Sequence, residues 1–141
     1  MSLRVILAPL LVQVALTLVM LFWMGFARVR ALRRGEAKIS AIALGQPNWP
    51  VKVQQIANCF ANQFQLPVLF YVLTALTIVT HQADLLFVVL AWLFVATRLA
   101  HAAIHTTSNF VPRRFYAYLA GAIVLLVMWI IFAARILIGA P

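Results

Sequence analysis

Residues 5–27 read VILAPLLVQVALTLVMLFWMGFA, an apolar run without a charge that is closed by Arg28. A membrane-spanning helix needs about 20 mostly apolar residues. This run meets that length and is too long for the apolar core of a signal peptide, so it reads as a retained spanning helix. Outward from it, residues 53–80 are again free of Asp, Glu, Lys and Arg, with Pro67 near their middle. A proline there is tolerated where neighbouring helices satisfy the freed backbone, and it kinks the helix. HQAD at 81–84 predicts a tight turn into a third helix over about 85–106. A short connection, TSNFVPRR, leads to a fourth over about 115–138. The predicted fold class is an all-α integral membrane protein, a bundle of four transmembrane helices. A single domain over 1–141 is expected, with no internal repeat or low-complexity tract.

Composition agrees with lipid as the main solvent. Of the 141 residues, 66% are hydrophobic and 9% charged, against about 25% charged in soluble domains; the mean hydropathy is +1.05. No room is left for a soluble catalytic module, so any chemistry must sit in or at the edge of the membrane. The formal charge of +9 comes from eleven Lys and Arg against Glu36 and Asp84. Nucleic acid is not the expected partner, because the cations flank or interrupt apolar helices and form no soluble basic face. Anionic membrane lipid is the better match. Cys59 is the only cysteine, which excludes an internal disulfide. Cations in short loops set orientation. Arg28, Arg30, Arg33, Arg34, Lys38 and Lys52 lie in the first loop and Arg113 and Arg114 in the third, while the second has none. Loops one and three are expected in the cytoplasm and both termini on the opposite side.

Depth follows from about 1.5 Å of rise per helical residue. Asn58, Asn62 and Gln65 occupy the cytoplasmic half of the second span, and Arg98, His101 and His105 that of the third. Arg28 ends the first span there, and Arg113 and Arg114 open the fourth. The spacings i, i+4, i+7 and i, i+3, i+7 put each set on one stripe, and two stripes at one depth predict one pocket.

Singly, each residue has a blander reading. The amides Asn58, Asn62, Gln63 and Gln65 can serve as interhelical hydrogen bonds, about 0.6 kcal/mol each on average. Arg98 can snorkel, although the helix end lies roughly 12 Å away. Arg113 and Arg114 are what topology alone requires, Arg135 at the far end snorkels, and Cys59 fills space. His101 and His105 have the i, i+4 spacing of metal or haem ligands, but no acidic or cysteine ligand accompanies them and no metal is expected. Intramembrane charges usually face the bundle interior or a watery cavity, and arginines with amides fit a small anion bearing several oxygens. The residues alone reach a membrane-embedded site for a small polar anion, open sideways to a lipophilic co-substrate.

NQFQLP at 62–67, RLAHAAIH at 98–105 and PRR at 112–114 resemble the MAPEG family, the membrane-associated proteins of eicosanoid and glutathione metabolism, in what looks like a bacterial branch of the inner membrane. The resemblance spans essentially the whole chain. It implies a MAPEG-like four-helix bundle, a homotrimer, and glutathione as co-substrate held between subunits near the cytoplasmic face. By position it assigns Arg28, Asn62, Arg98 and His101 to binding and Arg114 to holding the glutathione thiolate; His105 falls where prostaglandin E synthase-like members have a tyrosine, and Gln65, His105 and Arg113 complete the expected binding set. Gln65 stands where the family motif usually has glutamate, Ala61 where some members have arginine, and Phe115 where some have a small hydroxyl residue. The expected function is a glutathione-dependent transferase or peroxidase acting on lipophilic electrophiles or lipid hydroperoxides. The alternative is a non-catalytic lipid-binding or scaffold member of the family, which the missing glutamate favours. A small transporter or channel fits less well, since the polar residues stop half way across.

Overall fold

The structure, a computed structural model, describes residues 1–139; Ala140 and Pro141, the end of the expected domain, lie outside the described residues. Helix α1 spans Leu3–Arg33, α2 Ile39–Ile42, α3 Val51–Ala61, α4 Leu66–Val79, α5 Leu85–Thr106 and α6 Val111–Ile138. With α3 and α4 taken as one interrupted rod, four helices are long and apolar enough to cross a membrane. No strand occurs among the described residues.

Helix α5 is the central one, packing against α6, α1 and α3. Phe87, Ala91, Phe94, Arg98, His101 and His105 recur along it at helical spacing and are all buried. One stripe therefore faces inward along the whole helix, apolar at its start and polar at its end. Phe70 and Leu73 of α4 and Leu125 and Met128 of α6 close over the apolar half. Near the other end a smaller cluster joins Met20, Ile56, Cys59 and Ala102. Leu11, Phe22, Val72, Trp92, Leu126 and Ile130 point outward, as a lipid-facing surface requires.

Both boundary helices are longer than the apolar runs that predict them. Helix α1 continues through its basic stretch, since Arg and Ala are good helix formers, and stops at Gly35. There φ is +70°, and the amides of Glu36 and Gly35 bond back to Ala31 O and Leu32 O, the Schellman pattern that glycine permits. Helix α6 begins at Val111 rather than near 115, with Pro112 in its first turn, where a missing N–H costs nothing.

The interruption falls where Pro67 predicts it, as a break rather than a smooth kink. Residues 62–64 form a 3-10 turn and Gln65 has φ −100°, ψ −107°, which leaves the α region. Pro67 has no N–H to give to Gln63 O, and its ring crowds that carbonyl. Inside the break, Gln63 is 1% exposed and Gln13 of α1 is 0% exposed. Gln13 Nε2 donates to Gln63 Oε1 at 3.0 Å, and Gln63 Nε2 donates to Cys59 O at 3.0 Å.

Helices α5 and α6 approach closely at Gly121, where an added Cβ would lie 2.7 Å from Thr97 Oγ1. The last carbonyls of α5 are taken by α3, with Gln55 Nε2 donating to His105 O at 2.5 Å and Lys52 Nζ to Thr106 O.

Candidate functional site

At the basic-loop end of the bundle, Asn58, Ala61, Asn62, Gln65, His105 and Arg114 line an open recess of about 320 Å³. Residues from the broken second span, from α5 and from α6 meet there. Asn58 and Gln65 are exposed on the outer face of the bundle, whereas Asn62 and Arg114 are half-buried. Asn62 Nδ2 donates to Asn58 O at 3.0 Å and lies 3.5 Å from His105 Nδ1.

Arg98 sits behind the recess and is 0% exposed. Its Nη2 is 3.4 Å from Asn62 O, a weak contact to the broken turn, while Nε and Nη1 have no partner. No carboxylate is near, because among the described residues the only salt bridges are Arg34–Glu36 and Arg135–Asp84. His101 packs edge-on against His105 with ring centroids 5.4 Å apart, and its Nδ1 has no partner. Burying a polar group unpaired costs about 1–3 kcal/mol, and more for a charge. This half of the bundle thus holds unmatched donor capacity.

Tyr118 of α6 belongs to the same cluster, although sequence reasoning missed it. Arg98 Cζ lies 5.6 Å from its ring centroid, the His101 ring 5.7 Å away, and its hydroxyl donates to Gln65 Oε1 at 3.4 Å. The signal was available: Tyr118 follows Arg114 by four residues, hence lies on the same helical face. Gln13 was equally legible as the lone amide in a charge-free apolar run.

Two expected site residues stand apart from the recess. Arg28 stacks over Trp49 at 5.0 Å from the ring centroid and does not line the recess. Arg113 is exposed, with Cζ 5.7 Å from the Phe110 ring centroid. Arg114 is anchored by donating from Nη1 to Asn109 Oδ1 at 2.5 Å. Asn109 has φ +50°, a left-handed conformation that asparagine tolerates.

At the opposite end the charges are paired. Arg135 Nη2 meets Asp84 Oδ2 at 2.5 Å, Arg135 Nη1 donates to Gln82 O at 3.2 Å, and Asp84 Oδ1 caps α5 by accepting from Phe87 N at 2.8 Å. Arg135 is therefore an ion-pair partner and not a snorkelling cation. Burial raises the Asp84 pKa, but the Arg135 hydrogen bond, the Phe87 amide and the Arg135 charge outweigh it and hold the carboxyl below its usual value.

Among the described residues no group of three or more His, Cys, Asp or Glu side chains is placed to hold a metal. The model of the MAPEG family matches residues 6–134. No curated protein matches the chain, and no solved structure does.

Proposed function

This chain belongs to the MAPEG family, a membrane family associated with glutathione and eicosanoid metabolism, and on that premise we propose that it is a glutathione-dependent transferase or peroxidase. Its second substrates would be lipophilic electrophiles or lipid hydroperoxides that enter from the bilayer. The observation that carries this reading is Arg98, a fully buried guanidinium with two unpartnered nitrogens set behind an open polar recess. A buried charge without a counter-ion is costly, and a carboxylate of glutathione would supply one. Asn62, Gln65, His101 and His105 offer further hydrogen-bonding groups around it.

Arg114 takes the thiolate role. It lies in the first turns of α6, where the positive end of the helix dipole adds to its own charge. A free thiol titrates near pH 8.5, so a small fraction is ionised at neutral pH without such help. The thiolate then attacks an electrophilic carbon, forming the C–S bond as the leaving group departs. With a hydroperoxide it attacks the distal oxygen, the O–O bond breaks and the alkoxide takes a proton. A second glutathione returns the sulfenic acid to disulfide and water.

The homotrimer belongs to this proposal. Asn58 and Gln65 open outward from the protomer, and a neighbouring copy would bring Arg28, which one protomer leaves outside the recess. Arg113, exposed beside Arg114 at the start of α6, would then meet ligand or neighbour. The chain would lie as one domain in a bacterial inner membrane with loops one and three cytoplasmic, supported by the cation count of those loops.

One observation favours the second reading, a non-catalytic lipid-binding or scaffold member. The chain's only carboxylates, Glu36 and Asp84, do not line the recess, and Gln65 cannot neutralise the ammonium of glutathione. Thermal unfolding of the purified protein separates the two, since a ligand of the folded state stabilises by RT ln(1 + [L]/Kd). Millimolar glutathione and S-hexylglutathione should both raise the midpoint, with an ultraviolet thiolate band for glutathione alone. Stabilisation by fatty acid without any glutathione effect would replace the enzyme reading with the second.

A further inference from the structure

Away from the recess, the end of α1 and the start of α3 diverge around a second cleft of about 480 Å³, within the roughly 300–1,000 Å³ of typical ligand sites. We propose that this cleft binds the phosphate head of an anionic phospholipid, with an acyl chain lying over its apolar floor. The Schellman turn at Gly35 fixes the end of α1 so that Arg30 and Arg34, four residues apart, share one face. Lys52 on the first turn of α3 lines the same cleft. Its bond to Thr106 O involves a neutral carbonyl and leaves its charge intact.

Charge complementarity selects the head. Three cations face one carboxylate, Glu36, which Arg34 already meets at 3.8 Å. The dipoles at the end of α1 and the start of α3 oppose one another, each about half a charge, so the side-chain cations decide the sign. Shape and depth select the tail. Below the cations, Trp23 and Phe26 are exposed on α1, while Ile56 of α3 closes the floor. A tryptophan beneath two arginines and a lysine is the arrangement of a membrane–water interface. Basic residues near a lipid surface attract anionic heads.

The test compares thermal unfolding of the full chain in neutral detergent with dioleoylphosphatidylglycerol, dioleoylphosphatidylcholine or glycerol phosphate added. Phosphatidylglycerol should raise the midpoint and the other two should not. The variant Arg30→Ala/Arg34→Ala should lose more than half of that rise. Arg33→Ala/Lys38→Ala, which removes the same charge outside the cleft, should keep it. Midpoints without lipid are read first, and if the alanine pair does not fold, Arg30→Gln/Arg34→Gln replaces it. An equal rise with phosphatidylcholine would overturn the charge argument. A rise with glycerol phosphate alone would make the ligand a free phosphate, and equal losses in both variants would reduce the effect to general surface charge. A cleft covered by a second copy of the chain would show concentration-dependent midpoints insensitive to lipid, which also overturns the proposal.

Discussion

Arg135 and Arg98 are the same residue type at the two ends of one bundle, and their surroundings differ in kind. Arg135 has a carboxylate at 2.5 Å and a carbonyl at 3.2 Å. Arg98, far more buried, has one weak carbonyl contact and two unpartnered nitrogens. The contrast runs along α5, whose inward stripe is Phe87, Ala91 and Phe94 at one end and Arg98, His101 and His105 at the other. One half of the stripe is matched by what packs on it and stabilises the fold. The other half is left with donors in excess, and the proposed glutathione site rests on that excess.

The largest effect expected on this contrast is catalytic. Arg114→Ala should lower turnover with glutathione about tenfold to a hundredfold, roughly 1.4 to 2.7 kcal/mol, while binding through other contacts partly survives. An unchanged thiolate band in that variant would move the activating role to Arg113. Next, Arg98→Met should weaken glutathione binding by about tenfold, roughly 1.4 kcal/mol, yet leave the ligand-free unfolding midpoint level or higher, because an unpaired buried charge is removed. A clear fall in that midpoint would mean that Arg98 is structural after all and would erase the difference between the two ends.

Gln13→Leu should cost about 1 kcal/mol of stability, because Gln63 loses its donor in a dry site. Gln63→Leu added to it should restore part of the loss. A double-mutant cycle in urea showing no coupling would remove the pair as the fastener of the break. The smallest effect belongs to Asp84→Asn, less than about 1 kcal/mol since the pair's side chains are 23% and 42% exposed and solvent screens it. The Asp84 carboxyl is depressed in the folded state, so its contribution is present above the unfolded value near 3.9 and is lost as pH falls through the folded one. The parent should therefore lose stability over that acid range more steeply than the variant, as read from midpoints between pH 5 and about 2.

Hydropathy and charge made the four spans and the polar half legible, because lipid permits few alternatives for a long apolar run. Pro67 marked the break by its missing N–H, a local property. Pairings across long stretches of chain were not readable in the same way. Asp84 and Arg135 lie 51 residues apart and Gln13 and Gln63 lie 50 apart, and no periodicity within one helix reveals which helix faces it. Helix ends also slipped outward, since the basic tail of α1 and Pro112 in α6 break an apolar pattern without breaking a helix. Tyr118 drew no expectation because an aromatic in a membrane helix has many ordinary uses, and only its position four residues beyond Arg114 set it apart.

At Gly121 a side chain of a single hydrogen atom lets α5 and α6 lie close together. Thr97 Oγ1, the nearest obstacle to a methyl there, is held by its own bond to Phe94 O at 2.6 Å and cannot swing aside freely. An alanine methyl there would have to turn Thr97 Oγ1 off that bond, at the level of Arg98 and one turn from Tyr118. A residue that contributes no atom to the recess thus bears on how closely the helices behind it can lie.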